Sequence, residues 1–184
     1  MKRSASAVWK GDLGQGQGTL TTDSGVLAET QYSFGTCFLD GIGTNPDELI
    51  AASLGGCFSM TLSSELSLRG FHPERIETIA TATLEELAEG WTVTHIQIDV
   101  RANVPDASQG SFMDAAIAAR AKCPIARLLN TTISMTATLE PTTVALPIKH
   151  KSQRRSRAHS SHPTTMASGH LSIAKKHDAL QTKY

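Results

Sequence analysis

No Cys-X-X-Cys pair and no Cys/His zinc-ligand spacing occurs in this chain of 184 residues. Its three cysteines, Cys37, Cys57 and Cys123, are odd in number and widely separated. That argues against a disulfide-stapled secreted fold and leaves room for a reactive thiol. No apolar run approaches the roughly 20 residues needed to span a bilayer, so no membrane partner is expected. The N-terminal MKRSASAVWKGD has a basic end but no apolar stretch behind it, so no signal peptide is expected either. The expectation from these absences is a soluble, cytoplasmic protein. The glycine-rich GDLGQGQG is followed by neither Gly-Lys-Ser/Thr nor a helical pattern, and it does not match Gly-x-Gly-x-x-Gly. It reads as a hairpin turn, not a phosphate cradle.

The formal net charge is zero, but the two ends of the chain differ. Residues 1–140 hold nine Lys+Arg against sixteen Asp+Glu, and residues 141–184 hold eight against one. The reading is one domain over 1–140 with a basic, Ser/His-rich, disordered tail over 141–184. Leu171 to Leu180 has the pattern of a short helix. A basic arm for nucleic acid is the functional reading of the tail, but no aromatic residues interleave its charges to stack on bases. Nucleic acid is therefore not an expected partner.

The chain is organised around Gly43 to Gly70, GTNPDELIAASLGGCFSMTLSSELSLRG. Asn45 is placed as an N-cap, Pro46 fits the first helical position, and Glu48 stands where a capping box puts an acid. Gly70 is a C-terminal stop. The spacing predicts a helix over 46–69, apolar almost all round and therefore buried. Residues 4–38 read as strands with a turn at Asp23-Ser24-Gly25. Period-two alternation predicts strands from Ile76 to Leu84, from Trp91 to Val100 and from Thr132 to Leu139. A helix is expected from Ser111, acting as cap, to Ala121. A second starts at Pro124 with Cys123 in the cap position. The order β-β-β-α-β-β-α-α-β favours an α+β fold with an antiparallel sheet. The apolar excess of the central helix points to a second copy as partner.

A lone cysteine on a buried helix is usually a small core residue, which is the plain reading of Cys57. Cys123, at a helix start, sits where the helix dipole and free amides favour a thiolate. Whether the two meet is open at this level. His72 and His95 read as a loop residue and a solvated strand residue.

GTNPDELIAASLGGCFSMTLSSEL, together with the downstream AKCPIARLL, closely resembles the OsmC/Ohr family, and its OsmC branch in particular. VWKGDLGQGQGTLTTDSGVL, YSFGT and the strand pair after Gly70-Phe71 add to the match, which covers about Ser4 to Glu140. The resemblance implies an intertwined homodimer, with sheet wrapped around the long central helix and two active sites at the subunit interface. It implies reduction of organic hydroperoxides, and of hydrogen peroxide less well, in oxidative and osmotic stress defence. Cys57 would be the peroxidatic nucleophile and Cys123 the resolving thiol, joined as a disulfide that an external thiol reductant, such as a lipoyl-type dithiol, reopens. Glu48 would hold an arginine that stabilises the thiolate. No metal and no bound cofactor is implied.

Glu48 precedes Cys57 by nine residues, about 13.5 Å of helical rise and half a turn out of phase. It must therefore act indirectly, across a bend at Gly55-Gly56, or from a partner chain. The arginine itself is absent, because the OsmC branch carries it where this chain has Cys37, in YSFGTCFLDG. A neutral thiol there removes both charge and hydrogen bonds. Lys10, Lys122 and Arg127 are the candidate substitutes. Cys37 is either a third redox sulfur pairing with Cys57 or drift in a weakened enzyme. The alternative function is accordingly a non-catalytic or weakened stress-associated dimer of the same fold.

Overall fold

The computed structural model describes residues 1–39 and 41–141. The basic tail and its expected short helix lie outside the described residues. The elements are β1 (Ala5–Lys10), β2 (Gln17–Thr22), β3 (Thr30–Ser33), α1 (Phe34–Phe38), α2 (Pro46–Ser67), β4 (Arg75–Leu87), β5 (Gly90–Asn103), α3 (Gln109–Lys122), α4 (Pro124–Leu128) and β6 (Thr132–Leu139). They form two three-stranded sheets, β1-β2-β3 and β4-β5-β6.

The first sheet is antiparallel throughout. The glycine-rich segment is its hairpin turn: Asp12 accepts from Gln15 N through its side chain and from Gly16 N through its carbonyl, both at 2.8 Å. Gly18 is required by packing. Trp9 and Tyr32 flank it with ring centroids 5.5 Å apart, and a Cβ at Gly18 would come within 2.3 Å of Tyr32. Residues 34–38, expected to continue the strand, instead form α1. Ser33 and Thr36 make a reciprocal capping box, with Thr in the place usually held by Glu or Gln.

In the second sheet β4 and β5 are antiparallel, but β5 and β6 are parallel. This corrects the expectation of an antiparallel sheet. The cause is topological: α3 and α4 intervene between β5 and β6, and a helical crossover returns the chain in the same direction. Ile96, Ile98, Val100 and Ala102 on one face of β5 are buried against Leu54, Phe58, Leu62 and Leu66 of α2 and Phe112, Ala115, Ala116 and Ala119 of α3. The i, i+4 spacing of the α2 residues makes them one ridge.

The bounds of α2 follow its sequence signals. Asn45 Oδ1 accepts from Glu48 N at 2.8 Å, and Asn45 Nδ2 donates to Thr36 O at 2.9 Å, which ties α2 to α1. The reciprocal half of the capping box does not form, because the Glu48 carboxylate accepts from Thr44 Oγ1 instead. At the other end Gly70, at φ 81°, closes a Schellman motif through Phe71 N→Leu66 O and Gly70 N→Ser67 O. Within one chain the burial of α2 is one-sided. Leu54, Phe58, Leu62 and Leu66 are sealed, while Ala52, Gly56 and Met60 on another face are exposed within one chain. By length and composition α2 matches a membrane-spanning helix, yet its ridge is sealed into the core and it carries Asp47, Glu48 and Glu65.

α3 starts earlier than expected. Its cap is Ser108, which accepts from Ser111 N, so Ser111 lies inside the helix. Cys123 N still bonds to Ala119 O at 2.8 Å, and Pro124 opens α4 at its first position, so Cys123 is the joint between the two helices.

Candidate active site

Cys57 lies at the midpoint of α2 and is half-buried. Cys123, at the α3–α4 joint, is fully buried. The fold brings them together: both pack on one core cluster, and Cys57 is near enough to act on the Cys123 thiol. Both positions arise from plain packing. α2 and α3 share one core, and the Pro124 restart turns the chain at the point where Cys123 faces α2. The cysteines are free, so the pair is in its reduced form.

Burial is the largest influence on Cys123 and pushes its thiol up from the usual range, and the neighbouring Cys57 pushes in the same direction. The amides of Ala126 and Ile125 lean toward its sulfur and oppose this, but no well-formed capping hydrogen bond results. The expectation of a thiolate at this helix start is therefore corrected: desolvation outweighs the helix end. A protonated Cys123 has one S–H donor, and its neighbour Cys57 can accept it. A hydrogen bond to the charged form of a sulfur favours that form.

Glu65 carries no signal in the sequence pattern, and it is the one buried acid in the core of α2. Arg69 Nη1 lies 2.8 Å from its Oε2, and Lys122 Nζ lies 2.7 Å from its Oε1. Arg69 first, then Lys122, hold the Glu65 carboxyl below the usual carboxylate range against the opposing effect of burial. Lys122, considered as a cation for the thiolate, is thus committed to Glu65. Arg127 is exposed in the last turn of α4, and Lys10 lines a polar groove on the first sheet with Gln15, Gln17 and Glu29. Neither forms an ion pair among the described residues.

Glu48 is exposed at the start of α2. α2 runs unbroken through Gly55-Gly56. Glu48 sits at the edge of an open groove of about 540 Å³ between α2 and β4, lined also by Ala52, Gly55, Gly56, Ser59 and Thr78. Cys57 is not part of that groove. One chain therefore does not bring Glu48 to the thiol pair.

Cys37 is half-buried on α1, in an apolar pocket of about 190 Å³ with Trp9, Leu13, Tyr32, Phe34 and Phe38. Neither Cys57 nor Cys123 lines it. His95, read as solvated, is half-buried: its Nε2 lies 2.6 Å from Ser134 Oγ. Ser134 in turn donates to Gln97 Oε1, so His95 is the donor in that pair and does not activate the hydroxyl. The group is a polar ladder between β5 and β6. Among the described residues, no cluster of three or more His, Cys, Asp or Glu is arranged to hold a metal ion.

The same fold and sequence pattern occur in known proteins. The family model described as OsmC-like protein matches residues 39–138. The chain is 38% identical over 133 residues to peroxiredoxin OsmC of Escherichia coli, covering 72% of this chain and 93% of that protein. Among solved structures, an OsmC-like protein of unknown function from Vibrio cholerae superposes with a TM-score of 0.61 at 18% identity, covering 74% of this chain and 99% of the other. The organic hydroperoxide resistance protein OhrB of Bacillus subtilis superposes with a TM-score of 0.55 at 20% identity, covering 74% and 98%. These two likenesses establish the fold.

Proposed function

The chain belongs to the OsmC-like family, and on that premise we propose that it is a cysteine-based peroxidase reducing organic hydroperoxides, and hydrogen peroxide less well, in cytoplasmic stress defence. One observation carries the reading: Cys57 and Cys123, distant in sequence and on different helices, are neighbours at the edge of the core. The E. coli relative is a peroxiredoxin, which supports the peroxidase class. The B. subtilis neighbour is an organic hydroperoxide resistance protein, which supports the organic substrate.

The steps follow from the two sulfurs. The Cys57 thiolate attacks the terminal oxygen of the hydroperoxide. The O–O bond breaks, the alkoxide takes a proton and leaves as the alcohol, and Cys57 becomes a sulfenic acid. The Cys123 sulfur then attacks the Cys57 sulfur. Hydroxide leaves and combines with the thiol proton as water, and the Cys57–Cys123 disulfide forms. An external dithiol reduces it through a mixed disulfide, returning both thiols.

Activation is where this chain differs. A protonated Cys123 supplies a neutral donor to Cys57, in place of the arginine whose position Cys37 occupies. A homodimer completes the site. The open α2–β4 groove is lined by small residues, and β1 is exposed along its whole length. A second copy would cover both, and it is the route by which Glu48 reaches a thiol pair. The alternative, a catalytically weakened dimer, draws on the apolar surroundings of Cys37, where no cation stands.

The test is consumption of cumene or tert-butyl hydroperoxide by the recombinant full chain with a dithiol reductant. Turnover by the wild type and its loss in Cys57→Ala support the proposal. Full turnover by Cys57→Ala overturns it.

A further inference from the structure

Glu65 has a job that the peroxidase steps do not use, and its partners indicate what it is. Its side chain is 6% exposed, and each carboxylate oxygen takes one cation. Arg69 is on the same helix, four residues on, so its pairing is local to α2. Lys122 is on α3, so its pairing crosses from one helix to the other. Lys122 is also the residue immediately before Cys123. On α2, Cys57, Thr61 and Glu65 follow one another at i, i+4 and i+8 along one row. Two consecutive residues of the α3–α4 joint therefore meet the same row of α2: Cys123 at Cys57, and Lys122 two turns further on at Glu65.

We infer that Glu65 is a positioning residue, which clamps the α3–α4 joint to α2 through Lys122 and so holds the Cys123 sulfur in reach of Cys57 while the disulfide closes. This rests on the peroxidase reading for its role in turnover, but the clamp concerns the thiol pair itself. Closure replaces a sulfur–sulfur contact by a covalent bond of about 2.05 Å. The joint must shift toward α2 for that to happen. A tether one residue away limits that shift to a productive direction. Misplacement of a reacting group by about 1 Å can slow a step on the order of a hundredfold.

A salt bridge at full exposure would do little of this. Here the carboxylate is buried and its partner ammonium is 61% exposed. Loss of Lys122 leaves a buried acid half-paired, while loss of Glu65 leaves only groups that can turn to water. Lys122→Met removes the tether while Arg69 still pairs with Glu65, Lys122→Arg is the conservative control, and Glu65→Gln weakens the same contact to a hydrogen bond with a neutral acceptor.

Two readouts apply to the full chain. The first is the lifetime of the Cys57 sulfenic acid after one equivalent of cumene hydroperoxide, trapped with dimedone, beside the rate of its formation. The second is the effective concentration of Cys123 toward Cys57 in a redox titration with reduced and oxidised glutathione, which involves no peroxide. The clamp requires a sulfenic acid that persists roughly tenfold longer in Lys122→Met and Glu65→Gln, with its rate of formation within about twofold of wild type. It requires an effective concentration lowered by a similar factor, and both readouts restored in Lys122→Arg. Equal effective concentrations in wild type and Lys122→Met overturn the clamp, as does a slowing of sulfenic acid formation by the same factor as its resolution. A wild type that ignores hydroperoxide, yet forms the disulfide with glutathione and loses that capacity in Lys122→Met, overturns the peroxidase reading and leaves the clamp standing.

Discussion

Cys123 is buried at the joint of α3 and α4 beside Cys57, and burial and that neighbour both push its thiol up, so the proposed resolving sulfur is also a candidate hydrogen-bond donor to the proposed nucleophile. This relationship separates two jobs that a serine or an alanine at position 123 would divide. Cys123→Ser keeps a donor and loses the disulfide. Cys123→Ala loses both. The first oxidation of Cys57, measured as a single turnover with cumene hydroperoxide, is expected near the wild-type rate in Cys123→Ser and about two- to tenfold slower in Cys123→Ala, the effect of one neutral hydrogen bond. Equal rates in the two variants would show that the donor contributes nothing.

Cys37, where the family resemblance implies an arginine, lies in an apolar pocket. A charge-assisted hydrogen bond contributes about 1.5–3 kcal/mol, which is roughly ten- to a hundredfold in rate if it acts only on the thiolate and the transition state. Cys37→Arg is expected to raise the second-order rate with tert-butyl hydroperoxide toward that range. No gain would mean that another group already serves.

The charge cluster and the buried thiol give the fold opposite pH limits. Arg69 and Lys122 lower the Glu65 carboxyl. The stability this brings is present above the unfolded carboxylate value of about 4.3, and is lost as pH falls through the lower folded value. Burial raises the Cys123 thiol. That contribution is present below the unfolded thiol value of about 8.5, and is lost as pH rises through the higher folded value. Urea midpoints of wild type, Glu65→Gln and Cys123→Ala across acid and alkaline pH check both. Glu65→Gln is expected to flatten only the acid limb, and Cys123→Ala only the alkaline one.

Gly56 tests the second copy by sign. A Cβ there meets nothing within 4 Å in one chain. For an isolated chain, Gly56→Ala removes a mid-helix glycine and is stabilising by about 0.8–1.0 kcal/mol. If the α2–β4 groove is the dimer seat, Gly56→Leu intrudes on it. Sedimentation velocity is expected to show a dimer in the wild type and a shift toward monomer in Gly56→Leu. A wild-type monomer would contradict the dimer, as would an undisturbed Gly56→Leu dimer.

The local signals of this chain are readable where one residue type settles a conformation. Asn45-Pro46 and Gly70 bracket α2 because caps and a Schellman stop act within a turn. Cys123-Pro124 marks the helix joint for the same reason. The start of α3 is ambiguous because Ser108 and Ser111 are both competent caps, and only tertiary packing selects one. α1 escapes the sequence pattern because its capping box uses Thr36 rather than Glu or Gln. The parallel β6 escapes it because alternation fixes a strand but not its direction. The meeting of Cys57 and Cys123 follows from family resemblance, since spacing alone cannot bring residues on α2 and the α3–α4 joint together. Glu65 is hidden because a single acid in an apolar helix looks like a solvent-facing residue. Its burial depends on Lys122 reaching it from another helix.

The central claim is that Cys57 and Cys123 form one redox pair. It is tested most directly by peptide mapping of the full chain, without reductant, after one equivalent of cumene hydroperoxide. The account predicts loss of both free thiols and a cross-linked peptide joining Cys57 to Cys123, with Cys37 still alkylatable. A disulfide through Cys37, or a fully reduced Cys57 after the peroxide is consumed, would contradict it.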